Sequence, residues 1–160
     1  MNSLLQFFAS SYRRVTVWLH LLENPLLLFI RAYWGWQFAE AGWGKLTHLD
    51  HATSFFESLN LPAPHLTALF VGLVEFGGGI LFALGIGSRL VSFLLFCTMT
   101  VAYLTADHDA FFSIFSDPDK FTAAAPYNLW FAAILILVIG PGKWAVDTLL
   151  ERFWPGAKKA

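Results

Sequence analysis

Long apolar runs separated by short polar turns dominate this chain. A helix needs about 20 apolar residues to cross a ~30 Å hydrocarbon core. Four runs approach or reach that length, at about residues 25–46, 66–84, 89–106 and 121–140. The pattern predicts an all-α protein, an integral membrane four-helix bundle.

Helix start and stop signals support these bounds. Asn24-Pro25 is typical of a helix start, because asparagine caps and proline suits the first helical position. Gly85-Ile86-Gly87-Ser88 predicts a tight turn with Ser88 as the next N-cap. Gly140-Pro141-Gly142 ends the fourth run, and Pro126 marks either its true start or a kink.

The two ends of the chain are apolar on one helical face only. In residues 1–24 the apolar side chains recur at helical spacing opposite Arg13 and Arg14, and residues 141–160 mix apolar with basic side chains. Both patterns are typical of helices that lie on a membrane surface. We expect an amphipathic N-terminal segment 1–24, a membrane domain 25–140 and an amphipathic basic segment 141–160.

Composition and charge agree with a membrane location. Hydrophobic residues make up 57% of the 160 residues and charged residues 13%, against about 25% charged in soluble domains. A net charge of −1 without a dominant basic patch argues against nucleic acid and leaves membrane lipid as the expected neighbour. Basic residues flank one side of the predicted bundle, so the positive-inside rule predicts both termini in the cytoplasm. The basic residues on that side are Arg13, Arg14, Arg89, Lys143, Arg152, Lys158 and Lys159; Lys45 and Lys120 lie on the other.

Ionisable residues inside the apolar runs are the first functional candidates. Each costs at least ~2.5 kcal/mol at a helix centre unless it finds a partner or water. Arg31, Glu40 and Lys45 lie in the first run and Glu75 in the second. Helical rise puts Arg31 and Glu75 within about 8 Å in height across the membrane. We predict a buried Arg31–Glu75 pair, which Glu40 could join, serving either helix register or a polar ligand or protons.

The first run has a second polar face, with Trp36, Glu40 and Trp43 at positions i, i+4 and i+7. No catalytic residue can be assigned from these positions. The candidates for ligand binding or proton relay are Arg31, Trp36, Glu40, Trp43, Lys45 and Glu75.

Histidines and carboxylates in the polar loops are candidate metal ligands, because imidazole and carboxylate suit zinc and similar ions. The candidates are His48, Asp50, His51 and His108. Their spacing matches no recognised ligand frame, and solvated loop residues are the more ordinary interpretation. Cys97 is the single cysteine, so the chain cannot form an internal disulfide, and we expect a buried structural thiol.

The motifs together resemble those of the DoxX family of small four-span bacterial membrane proteins, over roughly residues 25–150. The resemblance rests on Arg31-x3-Gly35-x2-Phe38-x3-Gly42-x2-Lys45-Leu46, Glu75-x2-Gly78-Gly79, Phe115-Ser116-Asp117-Pro118-Asp119-Lys120-Phe121 and Gly140-Pro141-Gly142-Lys143-Trp144-x2-Asp147. It implies a four-helix fold in the bacterial cytoplasmic (inner) membrane. It also implies an association with oxidoreductases, since the family is named after a subunit of a thiosulfate:quinone oxidoreductase.

Two classes of function fit this sequence. The chain could be an accessory subunit of a membrane oxidoreductase that binds a quinone or another small molecule between its helices, with electrons supplied by a partner redox protein. It could instead be a non-enzymatic scaffold, or a binder of lipid or small solutes, acting alone or as a homo-oligomer. No intrinsic cofactor is expected, and Arg31, Glu40, Glu75 and the tryptophans Trp34, Trp36 and Trp43 would surround a bound quinone in the first case.

Overall fold

The computed structural model describes residues 2–153, which contain eight helices and no strand. Four of the helices form the bundle, and the other four are short helices at its two ends. In chain order they are α1 (Asn2–Thr47), α2 (Leu49–Ser58), α3 (Pro64–Leu84), α4 (Ser88–Thr105), α5 (His108–Phe111), α6 (Pro118–Ala123), α7 (Tyr127–Ile139) and α8 (Val146–Phe153).

Within the described part of the chain, three helices are long and apolar enough to cross a membrane: the Tyr12–Thr47 part of α1, then α3 and α4. The all-α membrane fold predicted from the apolar runs is therefore confirmed. The fourth predicted span, 121–140, is interrupted, because α6 ends at Ala123 and α7 begins at Tyr127. Pro126 is the N-cap residue of α7, so it marks a true start. The 13 residues of α7 cover only about 20 Å.

The helix start predicted at Asn24-Pro25 is wrong, because α1 continues through Pro25. The Asn24 side chain does not cap a helix. Its Oδ1 instead accepts a hydrogen bond of 2.8 Å from the backbone N–H of Lys143. Proline inside a membrane helix is tolerated where neighbouring groups satisfy the freed backbone. Placement of residues 1–24 on a membrane surface stays a prediction, and the end of the predicted segment 141–160 lies outside the described residues.

The turn predicted between the second and third spans is confirmed. Gly85 ends α3 in the left-handed region, with φ of 74°, and its N–H donates to the carbonyls of Leu81 and Phe82. Gly87 is also left-handed, with φ of 57°, and α4 begins at Ser88. We call this the Gly85 end of the bundle and the opposite end, where α2 lies, the α2 end.

Helices α1 and α3 run antiparallel and touch through their glycines. A Cβ added at Gly35 would lie 2.7 Å from the carbonyl oxygen of Gly79, and one added at Gly42 would lie 2.7 Å from that of Gly72. Real Cβ atoms are not found this close to a backbone. Small residues let membrane helices approach closely enough for backbone packing, and the glycines therefore set the register of α1 against α3.

The side of α1 that faces α3 also contributes to the main hydrophobic core. Phe38 and Phe82 are fully buried with ring centroids 6.0 Å apart, and Leu95 and Ile136 bring α4 and α7 into the same cluster. A second cluster at the α2 end surrounds Tyr103, whose hydroxyl donates to the carbonyl of Phe121 over 2.7 Å. The second cluster holds α6 and α7 together, although the helix is interrupted between Ala123 and Tyr127.

Substitution by alanine should have different effects on stability at two glycines of α3, Gly79 and Gly77. Gly79→Ala places a Cβ 2.5 Å from the backbone nitrogen of Ala39 and should lower the free energy of unfolding by about 1–3 kcal/mol through overpacking. Gly77→Ala meets nothing within 4 Å and should leave stability unchanged or raise it by up to about 1 kcal/mol, because alanine favours helix. Thermal unfolding in detergent measures both variants. Equal melting temperatures would contradict the register described above.

Candidate functional site

An ion pair between a buried glutamate and a partly exposed lysine joins α1 to α3. The side chain of Glu75 is 2% exposed, and its Oε2 lies 2.5 Å from Nζ of Lys45, whose side chain is 27% exposed. Gly72 lies one turn before Glu75 and packs against the Lys45 and Leu46 side chains, so the α1–α3 contact holds the two charges together.

The Arg31–Glu75 pair predicted from helical depth is wrong. The main reason is the register of α1 on α3: Gly35 packs against Gly79, so Arg31, one turn earlier, lies level with Ala83, about 12 Å along α3 from Glu75. The direction of the side chains adds to this, because in an α-helix each Cα–Cβ bond leans toward the N-terminus. Arg31 on α1 therefore leans toward the Gly85 end, away from Glu75. Lys45 lies further along α1 and leans from the α2 end into the bundle, toward Glu75.

Arg31 binds backbone carbonyls at the Gly85 end. It is fully buried, with one guanidinium nitrogen 2.9 Å from the carbonyl oxygen of Trp144 and the other 3.4 Å from that of Ala83. Its Nε has no hydrogen-bond partner within residues 2–153. Asp147 interacts favourably with it by charge. Arg31 therefore ties the loop after α7 to the end of α3, which is an architectural task.

Asp147 completes this end by capping α4. Its carboxylate accepts hydrogen bonds from the N–H groups of Gly87 and Ser88, both 2.8 Å, and from the Ser88 hydroxyl at 2.7 Å. Its own N–H donates to the carbonyl of Gly85 over 2.9 Å. The capping of α4 predicted for Ser88 thus comes from a residue that is distant in sequence.

A cavity of about 500 Å³ opens between α3 and α4 at the α2 end. Its walls are mainly apolar and come from α1, α2, α3, α4, α7 and their connections. Lys45 and Glu75 are in its lining, and Phe70 and Val101 are lining residues that are 61% and 49% exposed. From Thr67 to Glu75 the cavity follows α3 for about 12 Å. It is the candidate ligand site.

The Lys45–Glu75 pair supplies the free polar groups deep in this cavity. Oε1 of Glu75 accepts no hydrogen bond from any described residue, and Lys45 has N–H donors beyond the one it gives to Glu75. The three lining threonines are less available, because their hydroxyls already donate to backbone carbonyls. Those bonds run from Thr67 to Pro62, from Thr98 to Leu95 and from Thr105 to Val101. An occupant would thus meet the Lys45 ammonium and the Glu75 carboxylate in a mainly apolar slot, with Asp107 as a further carboxylate residue in the lining.

The remaining predicted site residues do not line the cavity. Arg31 lies at the Gly85 end, and Trp36, Glu40 and Trp43 are exposed on the outside of α1. Glu40 therefore does not join Lys45 and Glu75. Among residues 2–153, no group of three or more His, Cys, Asp or Glu side chains could hold a metal ion. The structure thus does not assemble His48, Asp50, His51 and His108 into a metal site.

Two features of the cavity were missed at the level of sequence. Cys97 was expected to be a buried structural thiol, but it is partly exposed and lines the cavity. Helix α2 supplies Phe55 and Phe56 to the wall, and the spacing of these two residues gave no sign of it. For Cys97 the sequence did offer a signal: Cys97, Val101 and Thr105 follow one another at intervals of four residues and so share one face of α4, the face that lines the cavity.

The comparisons with known proteins agree with a membrane fold. A family model described as DoxX matches residues 26–108. The chain is 29% identical over 136 residues to "Inner membrane protein YqjF" of Escherichia coli (strain K12), and the match covers 83% of this chain and 98% of that relative. No solved structure gives a significant match.

The Lys45–Glu75 pair should show strong energetic coupling. Lys45→Met alone leaves a buried carboxylate without its cation and should lower the free energy of unfolding by about 3 kcal/mol. Lys45→Met combined with Glu75→Leu removes both charges and should lower it by less than about 1 kcal/mol. Chemical unfolding of the wild type, both single variants and the double variant measures the coupling. Additive losses would show that the two groups do not interact.

Asp147 should matter for stability more than its neighbour on the same helix. Asp147→Ala removes the cap of α4 and should cost about 1–2 kcal/mol. Glu151→Ala is the matched control, because Glu151 is an exposed acidic residue one turn later on α8. Melting temperatures in detergent compare the two. A loss of the same size in Glu151→Ala would contradict the capping role.

Proposed function

The chain belongs to the DoxX family, and from that premise we propose that it binds a quinone in the cavity between α3 and α4, as an accessory subunit of a membrane oxidoreductase. The observation that carries this proposal is the Lys45–Glu75 pair in an apolar cavity of about 500 Å³. Apolar slots with a few convergent polar groups are the usual form of small-molecule sites.

The chemistry of a quinone matches the groups in the cavity. A quinone has carbonyl oxygens that accept hydrogen bonds and an apolar tail. Lys45 would donate to one carbonyl oxygen, and Glu75 would give or take the proton that accompanies reduction. The tail would lie against the apolar wall and leave between Phe70 and Val101, both exposed. Electrons would come from a partner protein, since a single cysteine cannot run dithiol chemistry.

We also propose an inner membrane location with both termini in the cytoplasm. Arg89 and Lys143 lie at the Gly85 end, and the relative named above is described as an inner membrane protein. Basic residues favour the cytoplasmic side. A reporter fused to the C-terminus should be active only in the cytoplasm, and periplasmic activity would overturn this orientation.

A lipid acyl chain is a second candidate occupant. The apolar wall favours it, because a chain without polar atoms would leave the Lys45–Glu75 pair undisturbed. This alternative corresponds to a non-enzymatic lipid binder and would make no use of Lys45 or Glu75.

The single cysteine reports on the cavity. Decylubiquinone, a fully substituted quinone, should slow the alkylation of Cys97 by N-ethylmaleimide several-fold in the wild type. It should not slow it in the Lys45→Met/Glu75→Leu double variant, which keeps an apolar cavity but loses both polar groups. The rate is measured by mass spectrometry of the intact protein.

The control for this experiment is a phospholipid of similar tail length without a quinone ring. Equal protection of wild type and double variant by decylubiquinone would favour the lipid binder. An absence of protection in the wild type would overturn quinone binding in this cavity.

A further inference from the structure

One face of α1 points away from the bundle although it carries a carboxylate. It consists of Trp36, Glu40, Trp43 and Gly44, which we call the α1 outer face. All four are exposed, Trp36 by 69% and Trp43 by 55%. At 100° per residue, Glu40 and Gly44 lie about 140–180° around the helix from Gly35 and Gly42, which pack on α3, and the two tryptophans lie about 80–120° from them. Within residues 2–153 the printed ring contact of this face is that of Trp43 with Phe76 of α3, with ring centroids 5.4 Å apart, and both tryptophans keep more than half of their surface exposed.

Glu40 is out of place on a surface that meets lipid. It lies seven residues before the end of α1 at Thr47, about 10 Å along the helix, so it falls inside the membrane-spanning part. It makes no hydrogen bond or ion pair with another described residue. Charged side chains in membrane helices almost always face a protein interior or a water-filled cavity. We therefore expect another protein surface with hydrogen-bond donors to pack over Glu40.

The same face carries free donors. The indole N–H groups of Trp36 and Trp43 have no acceptor among the described residues, whereas that of Trp130 donates to the Thr100 hydroxyl over 3.0 Å. Tryptophan is a donor only and an ionised glutamate an acceptor only. The Trp43 side chain leans toward the N-terminus of α1, to the level of Glu40. One face thus presents a free acceptor and two free donors within two helical turns.

This set of groups is complementary to itself. A two-fold axis along the membrane normal places the tryptophans of one copy beside Glu40 of the other, and the reverse contact follows from symmetry. Gly44 lies one turn after Glu40, and a Cβ there would meet nothing within 4 Å.

We propose that a second copy of this chain covers the α1 outer face, in a two-fold dimer in which α1 packs against α1. In this dimer the indole N–H groups of each copy donate to Glu40 of the other. The contact is independent of the proposed quinone site, because none of the four residues of the α1 outer face lines the cavity.

Cross-linking between cysteines in native membranes tests the dimer. Gly44→Cys and Gly77→Cys are introduced separately into a Cys97→Ser chain. Both positions are open, with nothing within 4 Å of an added Cβ, but Gly77 lies on α3, away from the α1 outer face. A short bis-methanethiosulfonate linker should give dimers with Gly44→Cys and few with Gly77→Cys. No dimer at Gly44→Cys, or equal yields at both positions, would overturn the proposal.

Substitution of Glu40 tests the hydrogen bonds. In the Gly44→Cys chain, Glu40→Leu removes the acceptor and should lower the dimer yield several-fold. Glu40→Gln keeps a carbonyl oxygen at the same place and should keep most of the yield. A Glu40→Leu variant that cross-links as well as the parent chain would overturn the role of Glu40. Alkylation of Cys97 in the presence of decylubiquinone is measured on Glu40→Leu with the native cysteine, so failure of the dimer and failure of the quinone site are separately visible.

Discussion

The close contact between α1 and α3 determines which charged groups can meet in this protein. Glycines at Gly35, Gly42 and Gly79 bring the two backbones so near that a single Cβ would collide, and neither helix can slide along the other. In this register Lys45 lies beside Glu75, and Arg31 lies beside the end of α3. The ion pair and the closure of the Gly85 end are both results of the same steric constraint.

The two buried charged clusters differ in what surrounds them. Arg31 is enclosed and bound to carbonyl oxygens of Ala83 and Trp144, so it leaves no room for a ligand. The Lys45–Glu75 pair lies in the wall of a cavity and keeps free hydrogen-bonding capacity. Burial of a charge alone therefore does not identify a binding group in this bundle. The presence of adjoining space distinguishes the two clusters.

Much of the fold, but only part of the site, could be predicted from the sequence. The apolar runs and the glycine turn at Gly85 gave the helices α3 and α4 to within two residues, because length and turn chemistry are local properties. The partner of Glu75 was missed because the glycine contacts that fix the register of α1 on α3 place Arg31 level with Ala83, eight residues along α3 from Glu75. The helix start predicted at Asn24-Pro25 was wrong because the Asn24 side chain accepts a hydrogen bond from the distant N–H of Lys143 and does not cap a helix. The cavity depends on α2 folding over α3, and no local pattern carries that information.

The bonds at the Gly85 end also bear on how the protein is made. Arg31 binds the carbonyl of a residue 113 positions later, and Ser88 is capped from a residue 59 positions later. During synthesis α1, α3 and α4 therefore enter the bilayer before these partners exist. The insertion machinery or lipid head groups must accommodate the arginine until Trp144 and Asp147 emerge. Closure of this end is thus a late event in biogenesis.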